Sequence, residues 1–255
     1  MSSSDAAESG FTATLRRLPS AQKTAKGAPA YSRFVNRRAG GYLAVLAYRV
    51  GATPNQVTAV SALCTFAGIT GVLLLPPSWP LGIAVSLALV LGYALDSADG
   101  QLARLRGTSS VSGEWLDHVI DSAKIATLHV AVLVSAFRFS ELPTAWLLVP
   151  IAYGAVESVM FFAMILNDQL RRVHRATTGT RAPEPGHPST LRSLLVVPTD
   201  YGLLCLVFLL LGSPAAFAAG YGVLFTCNAL FLVAALPKWF GDMRSLDPVA
   251  PGRGR

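Results

Sequence analysis

Six apolar runs divide the chain between residues 55 and 237, at about 55–75, 81–104, 113–136, 145–169, 200–212 and 215–237. Most approach the roughly 20 residues that a helix needs to cross a bilayer core. In hydrocarbon, open backbone has no water to bond, so runs of this length fold as helices. The chain is therefore read as all-α, a polytopic membrane protein with six transmembrane helices. Only 14% of its residues are charged and its mean hydropathy is +0.48, far from the balance of a soluble domain. Proline punctuates the runs: Pro76, Pro77 and Pro80 part the first from the second, Pro143 precedes the fourth, and Pro214 divides the last two. The fifth run is short, with room to extend back to Leu194.

Residues 31–50 alternate Arg with Tyr, Phe, Leu and Val, which predicts an N-terminal amphipathic helix lying at the interface. Residues 1–30 are expected to be a disordered cytosolic tail, 31–240 the membrane domain and 241–255 a cytosolic C-terminal tail. On this topology 19 of the 21 Lys and Arg residues fall on one side; only Arg138 lies on the other and Lys124 within the membrane. That asymmetry places both termini in the cytosol. The Arg- and Ala-rich composition suggests a bacterial cytoplasmic membrane. The net charge of +7 serves topology and attraction to anionic lipid. No stacking platform accompanies the basic residues, so nucleic acid is not an expected partner. Cys64, Cys205 and Cys227 all sit in apolar runs and read as packing residues.

Against this apolar background, residues 96–121 carry four aspartates in the pattern D-x2-D-G-x2-A-R-x8-G-x3-D-x3-D. The positions are Asp96, Asp99, Gly100, Ala103, Arg104, Gly113, Asp117 and Asp121. Carboxylates beside a membrane are costly unless something binds them. Asp96, Asp99 and Ala103 fall at i, i+3 and i+7 and share a helix face; Asp117 and Asp121 do so at i and i+4. The small, polar stretch 105–112 suits a tight turn. Two antiparallel helices joined this way bring the carboxylate pairs together as an oxygen-rich site for Mg²⁺ or Mn²⁺. Gly100 and Gly113 leave room for a bulky ligand, and Arg104 can offset phosphate charge. The set points to a phosphate or pyrophosphate held through metal ions.

This pattern resembles the signature of the CDP-alcohol phosphotransferase family of integral membrane enzymes, with all eight positions at the family's spacing. The Thr53-Pro54-Asn55 element and the helix layout are similar too, so the likeness covers roughly residues 31–240. The resemblance implies cleavage of a CDP-linked donor, release of CMP and transfer of the phosphoryl-alcohol to an acceptor hydroxyl by direct displacement. It implies two divalent ions, Mg²⁺ or Mn²⁺, on Asp96, Asp99, Asp117 and Asp121, with Asp121 also the general base. Gly100, Ala103, Arg104 and Gly113 would line the CDP site, joined by Asn55 and Thr58. It also implies a homodimer. The expected donor is CDP-diacylglycerol and the acceptor an inositol phosphate, a glycerol phosphate or a similar alcohol, in phospholipid biosynthesis. A soluble CDP-alcohol donor with a lipid or polyol-phosphate acceptor is the alternative. A cation transporter is a distant one, because the acidic residues cluster at one end instead of tracing a path.

Lys124 and Glu157 fall near mid-bilayer and are expected to pair, or to join one polar network, at a helix interface; the alternative is a polar floor to the acceptor pocket. His118 and His129 read as packing or hydrogen-bonding residues, His174 and His187 as solvated ones. In the basic loop 170–199, Arg171 or Arg192, with Asn167 one turn before Arg171, is a candidate for an acceptor's phosphate.

Overall fold

The computed structural model describes residues 29–179 and 197–247. The chain enters through a π-helical turn, Ser32–Asn36, that runs into α1, Arg37–Arg49. Then follow α2 Pro54–Leu74, α3 Trp79–Arg106, α4 Val111–Phe139, α5 Leu148–Thr178, α6 Tyr201–Val207 and α7 Pro214–Arg244. No strand occurs among the described residues. Residues 1–28 of the expected tail, and the loop segment holding Arg181, His187 and Arg192, lie outside them.

Local chemistry accounts for the ends that matter. Thr53 caps α2 in a reciprocal box: the Gln56 amide donates to Thr53 Oγ1 at 3.3 Å and the Thr53 amide to Gln56 Oε1 at 2.8 Å. Pro54 occupies the first turn, where its missing N–H costs nothing. α3 stops at Gly107, whose φ of 64° is the left-handed conformation that ends many helices. Ser110 then caps α4 by accepting from the Gly113 amide at 3.1 Å. Only four residues, 107–110, separate α3 from α4, so the two run antiparallel with their motif ends together.

Five helices, α2 to α5 and α7, are long and apolar enough to cross a membrane. The fifth apolar run behaves differently. It begins at its Asp200 cap, after a 3-10 turn at Val197–Thr199, and becomes a 3-10 helix over Phe208–Gly212. The apolar stretch Tyr201–Gly212 is shorter than these five helices, and the residues before Val197 to which the run was expected to extend are not described. It is an inner element, burying Leu204, Cys205, Phe208 and Leu211. A methyl group at Gly82 of α3 would sit 2.6 Å from the Phe208 carbonyl oxygen, so the glycine is what lets the two backbones meet.

The main apolar core joins α2 to α7 through Val72, Leu89, Leu128, Val132, Tyr153, Phe208 and Tyr221. A second cluster, Ala44, Val45, Val57, Ala98, Leu102 and Leu105, fastens α1 to the motif half of α3. The outer face of α1 shows Tyr42, Leu46 and Val50 with exposed Arg38 and Arg49, as an interfacial helix should. α2 and α3 approach at small residues, where Ser61 Oγ donates to the Gly92 carbonyl at 2.8 Å. The cysteines are free, with Cys205 fully buried.

Candidate active site

The motif ends of α3 and α4 open with α2 and α5 onto a cavity of about 740 Å³. Asp99, Gly100, Ala103 and Arg104 reach its wall from α3, and Gly113, Asp117 and Asp121 from α4. Asn55 and Thr58 line it from the start of α2. The Thr58 hydroxyl donates to Asp99 Oδ2 at 2.6 Å, which ties α2 to the buried carboxylate. The tightness at the glycines is local: a Cβ at Gly113 would lie 3.0 Å from Ser110 Oγ and 3.5 Å from Asn55 Oδ1. At Gly100 it would meet the Arg104 guanidinium at 3.3 Å.

Asp96 faces inward from this cavity. Its Oδ1 lies 2.6 Å from Lys124 Nζ, and the same ammonium is 3.1 Å from Asp121 Oδ1. A buried cation drawn between two aspartates shows that the cluster demands positive charge. The metal-ligating atoms of Asp117, His118 and Asp121 also lie within 4.8 Å of one another. Oxygen donors at this density fit a hard divalent cation, Mg²⁺ or Mn²⁺, and the imidazole is compatible with Mn²⁺. Asp96, Asp99, Asp117 and Asp121 are the residues that would hold it.

Lys124 and Glu157 do not pair. Lys124 is taken by the motif aspartates, and Glu157 Oε2 accepts from His129 Nε2 at 3.0 Å. His129 Nδ1 in turn meets the Tyr221 hydroxyl at 2.5 Å. The two residues share instead a smaller cavity beside the first. The rotation of α4 and α5 about their axes sends each side chain to a nearer partner.

Two of the residues expected at an acceptor phosphate, Asn167 and Arg171, stand away from the cavity. Arg171 Nη2 lies 2.9 Å from Asp242 Oδ2 on α7, and neither Arg171 nor Asn167 lines the cavity. Arg192 is among the residues not described. The next position of α5 turns inward: Arg172 lines the cavity and bridges Glu114 of α4 at 2.7 Å and Asp168 at 2.8 Å. The i, i+4 spacing of Asp168 and Arg172 was the available sequence signal. α5 brings them there by projecting to Thr178, nine residues beyond the expected span. His118 packs edge-on to Phe161, 6.3 Å between centroids, with Nε2 3.8 Å from Glu114. His129 is buried and bonded.

Known proteins resemble this arrangement. Residues 51–235 match the family model for CDP-alcohol phosphatidyltransferase. No curated protein matches the sequence. The fold is similar to that of phosphatidylinositol phosphate synthase from Mycobacterium tuberculosis crystallised with CDP-DAG bound, at 21% identity and a TM-score of 0.51. That alignment covers 87% of this chain and 98% of the other. The same enzyme in complex with manganese and citrate aligns at 22% identity and a TM-score of 0.50, over 83% and 94% of the two chains. The matched region spans α2 to the last apolar turns of α7 and contains every aspartate of the cluster, so this chain belongs to the CDP-alcohol phosphatidyltransferase family, whose members are membrane phosphotransferases.

Proposed function

We propose that the chain transfers a phosphatidyl group from CDP-diacylglycerol to the hydroxyl of a polar alcohol, releasing CMP. The observation that carries this reading is the position of Asp121. It lines both the large cavity, with its nucleotide-sized volume, and the smaller cavity beside it. A base at that boundary can reach an acceptor hydroxyl held on one side while the donor phosphorus lies on the other.

When bound, the two divalent ions supply positive charge against the donor's pyrophosphate and make CMP a better leaving group. Asp96, Asp99, Asp117 and Asp121 hold that charge in place. Gly100 and Gly113 let the donor approach the backbone, and Ala103, Arg104, Asn55 and Thr58 bound the CDP side. Asp121 takes the proton from the acceptor hydroxyl. The acceptor oxygen bonds to phosphorus as the bond from phosphorus to the CMP oxygen breaks. No covalent enzyme intermediate is required, and CMP departs through the open cytosolic mouth.

A lipid donor is supported by the cavity's flank. Phe161, Met164 and Ile165 of α5 form an apolar part of its wall, and Met164 is 55% exposed. Acyl chains can thus lie in the bilayer while the headgroup sits among the aspartates. In this reading the protein is a homodimer in a bacterial cytoplasmic membrane with its active site toward the cytosol, in keeping with the basic residues on that side.

The test is CMP release by purified protein with Mn²⁺ or Mg²⁺, CDP-diacylglycerol and a panel of alcohols. Release should depend on acceptor and metal, and Asp121→Asn should lower it by roughly 10³-fold, from a lost base that is also a metal ligand. Undiminished turnover in Asp121→Asn would defeat the mechanism.

A further inference from the structure

Lys124 stands one turn beyond Asp121 on α4 and is buried. An ammonium buried in a membrane helix is costly unless it is matched. Its partners are Asp96 of α3, at 2.6 Å, and Asp121, at 3.1 Å. The cluster therefore holds a monovalent cation of its own between those two carboxylates. A second grouping, Asp117, His118 and Asp121, brings one ligand atom from each residue within 4.8 Å of the others and does not include Asp96. Asp121 belongs to both.

We propose that Lys124 is a positioning residue that sets the order of metal loading: one divalent ion binds the resting protein at Asp117 and Asp121, and a second binds tightly between Asp96 and Asp121 only with the CDP-linked donor. The inference rests on the phosphatidyl-transfer reading and adds an order to its two ions.

Competition for the same oxygens comes first. A Mg²⁺ ion takes carboxylate oxygens at about 2.0–2.1 Å. It cannot do so at Asp96 Oδ1 and Asp121 Oδ1 while the ammonium is bonded to both atoms. The two cations would also repel each other strongly in a largely buried site. The second ion thus has to displace Lys124, whereas the first does not.

Charge then couples that displacement to the donor. The ammonium and one divalent ion together match all but one of the four aspartate charges. A further dication with no accompanying anion would leave the cluster overcharged. The donor's pyrophosphate brings negative charge and fresh oxygen ligands, so the second ion and the donor each favour the other's binding. The displaced ammonium has a place to go. Lys124 lines the second cavity, about 210 Å³, with Glu157 on its wall. Its flexible four-carbon stem can swing the charge from the aspartates toward that carboxylate. The metal cluster is then completed only when there is a donor to cleave.

The test counts Mn²⁺ on the full detergent-solubilised chain by EPR, with and without CDP, against protein-free controls. Without CDP a single Mn²⁺ should bind tightly, with the signal of an isolated ion. CDP should tighten the second by roughly tenfold or more, and the neighbouring ions should broaden each other's signal. Lys124→Met should take up both ions without CDP, and CDP should then change the second affinity by less than about threefold. A lysine that only filled space would leave stoichiometry and line shape as they are in the unaltered chain. Two equally tight ions on the unaltered chain without CDP would overturn the inference, as would a single ion on Lys124→Met. Either result leaves phosphatidyl transfer standing. Failure of CDP to bind at any Mn²⁺ concentration would remove both.

Discussion

Replacing Lys124 with Met keeps the apolar stem and deletes only the ammonium, so it isolates the charge. The residue is 6% exposed, and its Nζ sits 2.6 Å from Asp96 and 3.1 Å from Asp121. Breaking a buried ion pair by removing one partner costs about 3–5 kcal/mol, because the other charge stays buried without compensation. Here the side chains of Asp96 and Asp121 retain 21% and 28% of their exposure, so some water reaches them. That argues for the lower end, about 3 kcal/mol. For a chain of this size it corresponds to a fall of roughly 6–12 °C in the unfolding midpoint. The loss should appear in EDTA. With saturating Mn²⁺ it should shrink, because divalent ions take over the same carboxylates, and Mn²⁺ should bind the variant more tightly because no ammonium needs displacing. Detergent-solubilised protein scanned by intrinsic fluorescence, with and without Mn²⁺, gives both quantities, and Mn²⁺ titration followed by EPR gives the affinity directly. An equal loss with and without metal would mean that Lys124 only fills space. No loss in EDTA would mean that the aspartates do not need a cation there, and the reasoning from charge would fail.

Other outcomes follow from the same geometry. Gly92→Ala would place a methyl group 2.2 Å from Thr65 Oγ1 between α2 and α3, and overpacking of this kind costs about 1–3 kcal/mol. Adding Thr65→Ala should recover part of that loss, seen as a non-additive shift in unfolding midpoint. Arg171→Ala breaks only a half-exposed ion pair and should cost at most about 1 kcal/mol, with donor and acceptor KM unchanged. Arg172→Ala opens the cavity mouth between α4 and α5, so its effect should appear in the KM for donor; equal effects from both arginines would contradict the assignment of faces.

Much of the architecture was legible because membrane folding makes local sequence decisive. The apolar runs and the prolines between them act within a few residues of themselves. The pairing of Asp96 with Asp99, and of Asp117 with Asp121, follows from helical periodicity, and the short turn between α3 and α4 forces the pairs together. The fifth run shows the limit. Its composition reads as one more span, but its close approach to Gly82 and its change to 3-10 geometry at Phe208 are not written in that composition. Its place as an inner element follows from α3 and not from its own residues.

By itself the sequence determined that the chain is helical and membrane-embedded, and that a cluster of aspartates lies between its second and third spans. Only the tertiary structure decided where the remaining polar groups point. Lys124 and Glu157 line the same cavity, but they answer to Asp96 and His129, not to each other. Arg172 and not Arg171 reaches the cavity, and Tyr201 closes a second pocket beside Asp121. The reason is physical: periodicity fixes which residues share a face, whereas the rotation of each helix about its axis is set by distant contacts such as Ser61 with Gly92 and Gly82 with Phe208. A turn of one residue, about 100°, exchanges one partner for another and leaves no mark in the local pattern.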